Sequence, residues 1–248
     1  ETTVVTVKES SPTNDSPATL VGLRLNQAIA HSGLCSRKAA ARLISELRVL
    51  VNGQQQPHHY LVKTGDLIQV DGEALPSPAA RQCWLYHKPV GVDCNVKPDD
   101  PCSIAQLLAT LPLRLFPLGR LDKDSSGLLL LSNDGALAQQ LMHPSFAHEK
   151  TYQVTVNKAL TPQTLEQLAS GVIWAVGPHS YQSRPCQVTQ LSSNSFQIVL
   201  TQGLNRQIRY MCRTQGFKVL QLKRIQLAEF SLADLAEGCF QTVSLSAD

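Results

Sequence analysis

The 248-residue sequence holds no apolar stretch near the ~20 residues that a membrane-spanning helix needs. Its first residues also lack the charged-then-apolar order of a secretory signal. The seven cysteines (Cys35, Cys83, Cys94, Cys102, Cys186, Cys212 and Cys239) are scattered, odd in number and never spaced C-x-x-C. That pattern supports neither a zinc site nor a disulfide framework, and reduced thiols in a cytoplasmic protein are the expectation. Acidic residues are missing where bases gather: Arg206, Arg209, Arg213, Lys218, Lys223 and Arg224 stand in a stretch, Leu204 to Arg224, with no Asp or Glu. The global charge is only +3, yet this local excess suits a polyanion; a solvated basic face is the plainer alternative.

What is present suits one or two soluble domains with a sizeable core: 43% hydrophobic and 17% charged residues. Residues 1–22, rich in Thr, Ser and Pro, read as a disordered tail, with Val4 to Val7 the one piece able to pair as a strand. From Leu23, apolar residues return at helical spacing through Leu25, Ile29 and Leu34, then Ala40, Leu43, Ile44 and Leu47. Gly33 separates the two predicted helices and Ser36 caps the second. Val49-Leu50-Val51, the turn Asn52-Gly53 and a strand within Gly65 to Gly72 complete a unit over 23–75. Arg24, Arg37, Lys38 and Arg42 make it basic and able to meet phosphates. A proline-containing linker, 76–81, leads to a second domain, 82–248.

That domain is organised around Gly119-Arg120-Leu121-Asp122-Lys123-Asp124-Ser125-Ser126-Gly127, followed by Leu128-Leu129-Leu130-Leu131. An apolar run bounded by turn residues reads as a buried strand, which pins a loop bearing two carboxylates at a sheet entrance. Ser132-Asn133-Asp134-Gly135 reads as the turn out. Leu137 to Met142 is helical in spacing, His148 to Val156 alternates as a strand, and a helix is expected to end at Gly171. Cys186–Thr189, Ser195–Leu200, Leu220–Ile225 and Phe230–Leu232 read as further strands. On pattern alone the Asp122 loop also reads as a capping or turn-forming Asp. It loosely fits a phosphoryl-transfer Asp-x-Asp loop too, but that chemistry puts its strand before the aspartates, where Phe116-Pro117-Leu118 is a poor one.

The string G-R-L-D-K-D-S-S-G-L resembles the catalytic loop of the pseudouridine synthases, in the RsuA, RluB, RluE and RluF branch that modifies ribosomal RNA. His87-Lys88-Pro89-Val90-Gly91 is similar to that family's Asn-Lys-Pro-x-Gly, and Lys150-Thr151-Tyr152 to its Lys-x-Tyr. Gly203-Leu204-Asn205-Arg206-Gln207-Ile208-Arg209 matches its Asn-Arg-Gln-Ile-Arg string, with Tyr210 where a second Arg is common. The strings look closest to the RluF type, which acts on large-subunit ribosomal RNA. The first unit resembles the small RNA-binding domain of ribosomal protein S4. The resemblance implies an α+β fold: that helical-plus-strand domain joined to a catalytic domain on a mainly antiparallel, twisted sheet.

It further implies an isomerase that breaks the bond from ribose carbon one to the base nitrogen and rejoins the base through carbon five. No cofactor, metal or redox step is needed. Asp122 would be the nucleophile, Tyr152 would stack on the uracil, and Arg209 would hold the Asp122 carboxylate ionised by a bidentate pair. Lys88, Arg120, Lys123, Lys150, Asn205 and Arg206 are assigned to RNA contact. Leu200 is either pocket floor or core. The partner implied is a structured stem-loop of ribosomal RNA, bound by a monomer. An RNA-binding assembly factor with a dead site is the alternative, against which intact Asp122, Tyr152 and Arg209 argue.

Overall fold

A computed structural model describes residues 7–8 and 20–243. The expected tail therefore lies outside the described residues, apart from Leu20 to Gly22 and strand β1 (Val7–Lys8). The first unit holds α1 (Leu25–His31), α2 (Arg37–Ser45), β2 (Val49–Val51), β3 (Ile68–Val70) and β4 (Glu73–Ala74). Ser36 Oγ accepts from the Ala39 N–H at 3.2 Å, the cap that the sequence predicts. Asn52 and Gly53 both take positive φ (52° and 76°), as a two-residue hairpin turn demands. Leu25, Ala28, Ile29, Ala40, Val49 and Ile68 form a core of the unit's own, and Leu20 already packs on it.

The second unit carries β5 (Cys83–Lys88), α3 (Ile104–Leu108), β6 (Phe116–Leu118), β7 (Ser126–Ser132), α4 (Gly135–Met142), a 3₁₀ turn (Pro144–Phe146) and β8 (Lys150–Val156). There follow α5 (Pro162–Ser170), β9 (Ile173–Val176), β10 (His179–Gln182), β11 (Gln187–Ser192), β12 (Ser195–Leu200), α6 (Gln207–Thr214), β13 (Val219–Leu227), β14 (Phe230–Ser231) and β15 (Phe240–Val243). Among the described residues, ten strands join in one sheet along the path β1-β15-β5-β7-β13-β8-β12-β11, with β6 beside β7 and β14 beside β13. The pairing is antiparallel except β1 with β15 and β7 with β13, so the expected mainly antiparallel sheet is what forms.

The four leucines of β7 explain themselves by alternation. Leu128 and Leu130 face Cys83, Leu118, Leu141 and Phe230 on one side. Leu129 and Leu131 face Trp84, Tyr86, Ile104 and Phe240 on the other. With both sheet faces covered, all four are fully buried.

Two local expectations are corrected. Phe116–Leu118 is a strand after all, paired through Leu118 with Leu130; Pro117 lacks a donor but β6 pairs on one side only, where proline is tolerated. Asp134-Gly135 is not a turn but the start of α4: Asp134 Oδ1 accepts from the Ala136 and Leu137 N–H groups at 2.8 and 3.4 Å.

Candidate active site

The Asp122 loop links β6 to β7 and is held from two sides. From the Lys88–Gly91 side, the Gly91 N–H donates to the Lys123 carbonyl at 2.7 Å and the Leu121 N–H meets Cys94 Sγ at 3.3 Å. Leu121 is buried against Trp84, Tyr86 and Leu129, which fixes the backbone just before the aspartate. Within the loop the Ser125 N–H closes a turn onto the Asp122 carbonyl at 3.0 Å. From the other side comes the first turn of α6, which the sequence left without an assigned element.

Arg206 stands at the N-cap of α6 in the left-handed region (φ 51°, ψ 28°). Its guanidinium grips Asp124 two ways, Nη1 to Oδ1 at 3.2 Å and Nη2 to Oδ2 at 2.8 Å, and reaches Asp122 Oδ2 at 3.6 Å. Here the structure departs from expectation. Arg209 does not pair with Asp122: its Nη2 lies 3.2 Å from Asp124 Oδ1 and donates to the Asp124 carbonyl at 2.8 Å and to Ser125 Oγ at 3.2 Å. One turn of helix separates the two arginines, and the residue near the helix start reaches farther across the loop. Arg209 Nε is buried without a hydrogen-bond partner. Among the described residues, Asp122 accepts no side-chain hydrogen bond, and its side chain stays 29% exposed. Asp124 is more firmly held. Partial burial pushes its carboxyl up, but the Arg206 hydrogen bonds and the Arg209 and Arg206 charges outweigh this and keep it below the usual carboxylate range.

Registers lay out a row across the sheet beside this loop: Lys88 on β5, Gly127 on β7, Arg224 on β13, Tyr152 on β8 and Ile198 on β12. Paired residues share a face, so Tyr152 shares its face with two buried cations. Tyr152 is half-buried and touches both flanking cores. Arg224 is 4% exposed; its Nε donates to the Leu128 carbonyl at 2.8 Å, and Nη2 is buried without a partner. Lys88, assigned above to RNA contact, is 0% exposed, and its Nζ donates to the Pro89 and Val92 carbonyls at 2.8 Å each. It holds the strand-to-loop corner together and has no surface to offer RNA. Burial pushes its ammonium down, opposed in part by Cys94, Asp122, Asp124 and Asp93.

The other candidates divide by exposure. Arg120, Lys123, Asn205 and Arg206 are exposed, Arg206 beside Asp122 and Arg120 with Nη1 on Asn95 Oδ1 at 3.1 Å. Lys123 leans on the Cys102 thiol, which raises its proton affinity. Lys150 is half-buried with Nζ on the His148 carbonyl at 3.0 Å; burial and then Arg224 push it down. Leu200 is 4% exposed and packs with Val154, Ile198 and Ile208. Arg24, Arg37, Lys38 and Arg42 are exposed on the first unit. Tyr210, the departure from the family string, stacks on Trp174 at 6.3 Å and so ties α6 to β9. The sequence reading gave Asp124 no role in the site and put Arg224 in the basic stretch suited to a polyanion, whereas the structure buries Arg224 in the sheet. A second acid in the loop and a lone Arg in a strand of otherwise apolar register were the available signals.

Comparison with known proteins agrees with this arrangement. The family described as RNA pseudouridylate synthase matches residues 82–214, and the S4 domain matches residues 23–68. The dual-specificity RNA pseudouridine synthase RluF of Escherichia coli (strain K12) is 36% identical over 220 residues, covering 87% of this chain and 73% of that one. Ribosomal large subunit pseudouridine synthase B of Bacillus subtilis (strain 168) is 35% identical over 223 residues, covering 87% and 89%. A crystal structure of a pseudouridylate synthase superposes with a TM-score of 0.63 at 28% identity, covering 90% of this chain and 96% of that one. With an S4 domain ahead of a catalytic domain whose sheet presents the Asp122 loop, this chain belongs to the RNA pseudouridine synthase family, in its RsuA-type branch.

Proposed function

We propose that this isomerase converts uridine to pseudouridine at a site in large-subunit ribosomal RNA, with Asp122 as the nucleophile. The observation that carries the reading is the state of Asp122. It is a partly exposed carboxylate without a hydrogen bond among the described residues, on a loop fixed from both sides, with Arg206 at 3.6 Å. A carboxylate in that state can engage an electron-poor sugar carbon as glycosidase carboxylates do. The bond from ribose carbon one to N1 breaks and one to carbon five forms; carbon five gives up a proton and N1 gains one, so composition and redox state are unchanged. Tyr152 stacks on the uracil, a contact worth ~1–3 kcal/mol on other nucleic-acid platforms. A uridine in a stem must leave its stack to reach Asp122, and Arg120 and Lys123 of the same loop, with Asn205 and Arg206 at the start of α6, are exposed and free to hold the opened backbone. Residues 23–75 grip a nearby stem-loop, 76–81 connect, and 82–248 carry the chemistry; the protein acts as a monomer in the cytoplasm. That the Bacillus subtilis relative is a ribosomal large subunit pseudouridine synthase supports the large subunit as substrate.

The test is to map pseudouridines in ribosomal RNA from cells lacking the gene, complemented with the wild type or with Asp122→Asn. The wild type restores one large-subunit site, and the variant restores none while still binding RNA. Turnover by Asp122→Asn within a few fold of wild type would sink the assignment.

A further inference from the structure

Arg120 is the exposed cation just before Leu121 and Asp122, and an exposed arginine ordinarily samples many rotamers. Here one side chain takes hold of it: Asn95 Oδ1 accepts from Arg120 Nη1 at 3.1 Å. The other polar atoms of Asn95 are already committed. Its backbone N–H and its Nδ2 both donate to Asp93 Oδ1, at 2.9 Å each, and its carbonyl accepts from Ser103 Oγ at 2.5 Å. Ser103 is 3% exposed and caps α3 through the Ala105 N–H at 3.0 Å, so this anchor belongs to the core. The Asp93 carboxylate decides which way the Asn95 amide faces, since the NH₂ meets the anion and the oxygen is left for the cation. Next to it, buried Cys94 meets the Leu121 N–H. Shaping the loop is the plainer role for the Asn95 bond, but the Leu121 and Gly91 contacts already hold the backbone, and a bond to the tip of Arg120 adds nothing there. What it fixes is the guanidinium, which gives one N–H to Asn95 and keeps the rest of its donors for a phosphate.

We propose that Asn95 is a positioning residue: braced by Asp93 and Ser103, it holds the Arg120 guanidinium in place before RNA arrives, ready for the backbone of a strand whose uridine has left its stack. The inference rests on the reading of the Asp122 loop as the place where that uridine reacts. Ordering a long side chain at the moment of contact costs binding free energy, and a side chain ordered beforehand avoids that cost. The gain is realised once the strand has opened, so it favours the opened state over the paired one. In a saturated complex it therefore appears as rate and not as affinity.

The test is single-turnover modification at saturating enzyme, alongside RNA binding, of two ribosomal RNA hairpins. One carries the mapped uridine in a base pair, and the other lacks the nucleotide opposite it, so that the uridine is already open. Asn95→Ala is expected to bind the paired hairpin within about threefold of wild type, but to lose at least about fourfold more rate on the paired hairpin than on the open one. The rate on the open hairpin also shows that the variant is folded with Asp122 in place. Asp93→Ala keeps Asn95 but unfastens its amide, and is expected to give the same contrast between the two RNAs. A contrast for Asn95→Ala below about fourfold overturns the proposal, whether both hairpins slow together, as a purely loop-shaping role requires, or neither slows. Asp122→Asn is measured on the same hairpins. If it is inactive while Asn95→Ala reacts with both hairpins at the wild-type rate, only this inference fails; if Asp122→Asn turns over, the nucleophile assignment fails, and the contrast between hairpins still decides the role of Asn95.

Discussion

Gly127 is where the fold and the site depend on one missing side chain. It opens the seam between β7 and β13, the parallel pair that places the Asp122 loop beside Arg224. Its φ is +109°, and a Cβ there would lie 2.2 Å from the Arg224 carbonyl oxygen and 2.5 Å from the Arg224 nitrogen. Neither atom is the end of a flexible side chain, so Gly127→Ala forces the strands apart by about 1 Å at this bridge to restore ordinary contact. The same seam carries the 2.8 Å bond from Arg224 Nε to the Leu128 carbonyl. Overpacking of a dense core costs about 1–3 kcal/mol, and positive φ in a residue with a Cβ adds about 1–2 kcal/mol. The expected destabilisation is therefore roughly 2–5 kcal/mol, which for a domain of this size lowers Tm by roughly 4–20 °C. Trp84 and Trp174 are the two tryptophans of the chain and both lie in the catalytic unit, so thermal unfolding followed by tryptophan fluorescence reports this unit. A Tm within 2 °C of wild type would show that the strands yield without cost and that the close approach does not fix the loop.

The legible parts of this chain were those where local chemistry and tertiary role coincide. The Ser36 cap, the Asn52-Gly53 turn and the all-leucine β7 follow from short-range rules, and the structure keeps them. Asp134-Gly135 fits a turn and a helix start equally well by composition. The buried N-cap bonds to Ala136 and Leu137 decide it, and those form only because the chain beyond Gly135 coils into α4. Lys88 could not be read correctly because a lysine's exposure is not local. Only the folding back of Pro89 to Val92 supplies the two carbonyls that let its ammonium be buried. The Arg209 pairing failed for a similar reason. A motif names which arginine is present, but the left-handed turn at Arg206 determines which guanidinium lies over which carboxylate.

Arg209→Lys should be damaging despite keeping the charge, since a flexible lysine stem does not hold its nitrogen where Arg209 Nη2 meets the Asp124 carboxylate, its carbonyl and Ser125 Oγ together; single-turnover rates unchanged across pH 6–9 would contradict an anchoring role. Arg37→Ala with Lys38→Ala removes two exposed cations of the S4 unit. It should weaken RNA binding and flatten its salt dependence by roughly 1–2 in log–log slope, leaving the saturated rate intact; a slowed saturated rate would mean that the unit helps to organise the active site. The third expectation concerns pH and stability. The folded-state Asp124 carboxyl is held below its unfolded value of about 3.9, chiefly by Arg206 against the opposing effect of burial. Between those two values the unfolded chain binds more protons than the folded one, so stability rises with pH there. The Asp124 contribution is thus present in full above the unfolded value and disappears as pH falls through the folded one. The side chain is 47% exposed, which keeps the effect near that of a surface ion pair, about 1 kcal/mol or less. Urea unfolding of wild type and Asp124→Asn should accordingly show a stability gap that is constant from pH 7 to 5.5 and narrows at pH 3.5. A gap that widens on acidification would mean that Asp124 is held up and not down, and that Arg206 and Arg209 do not grip it in solution.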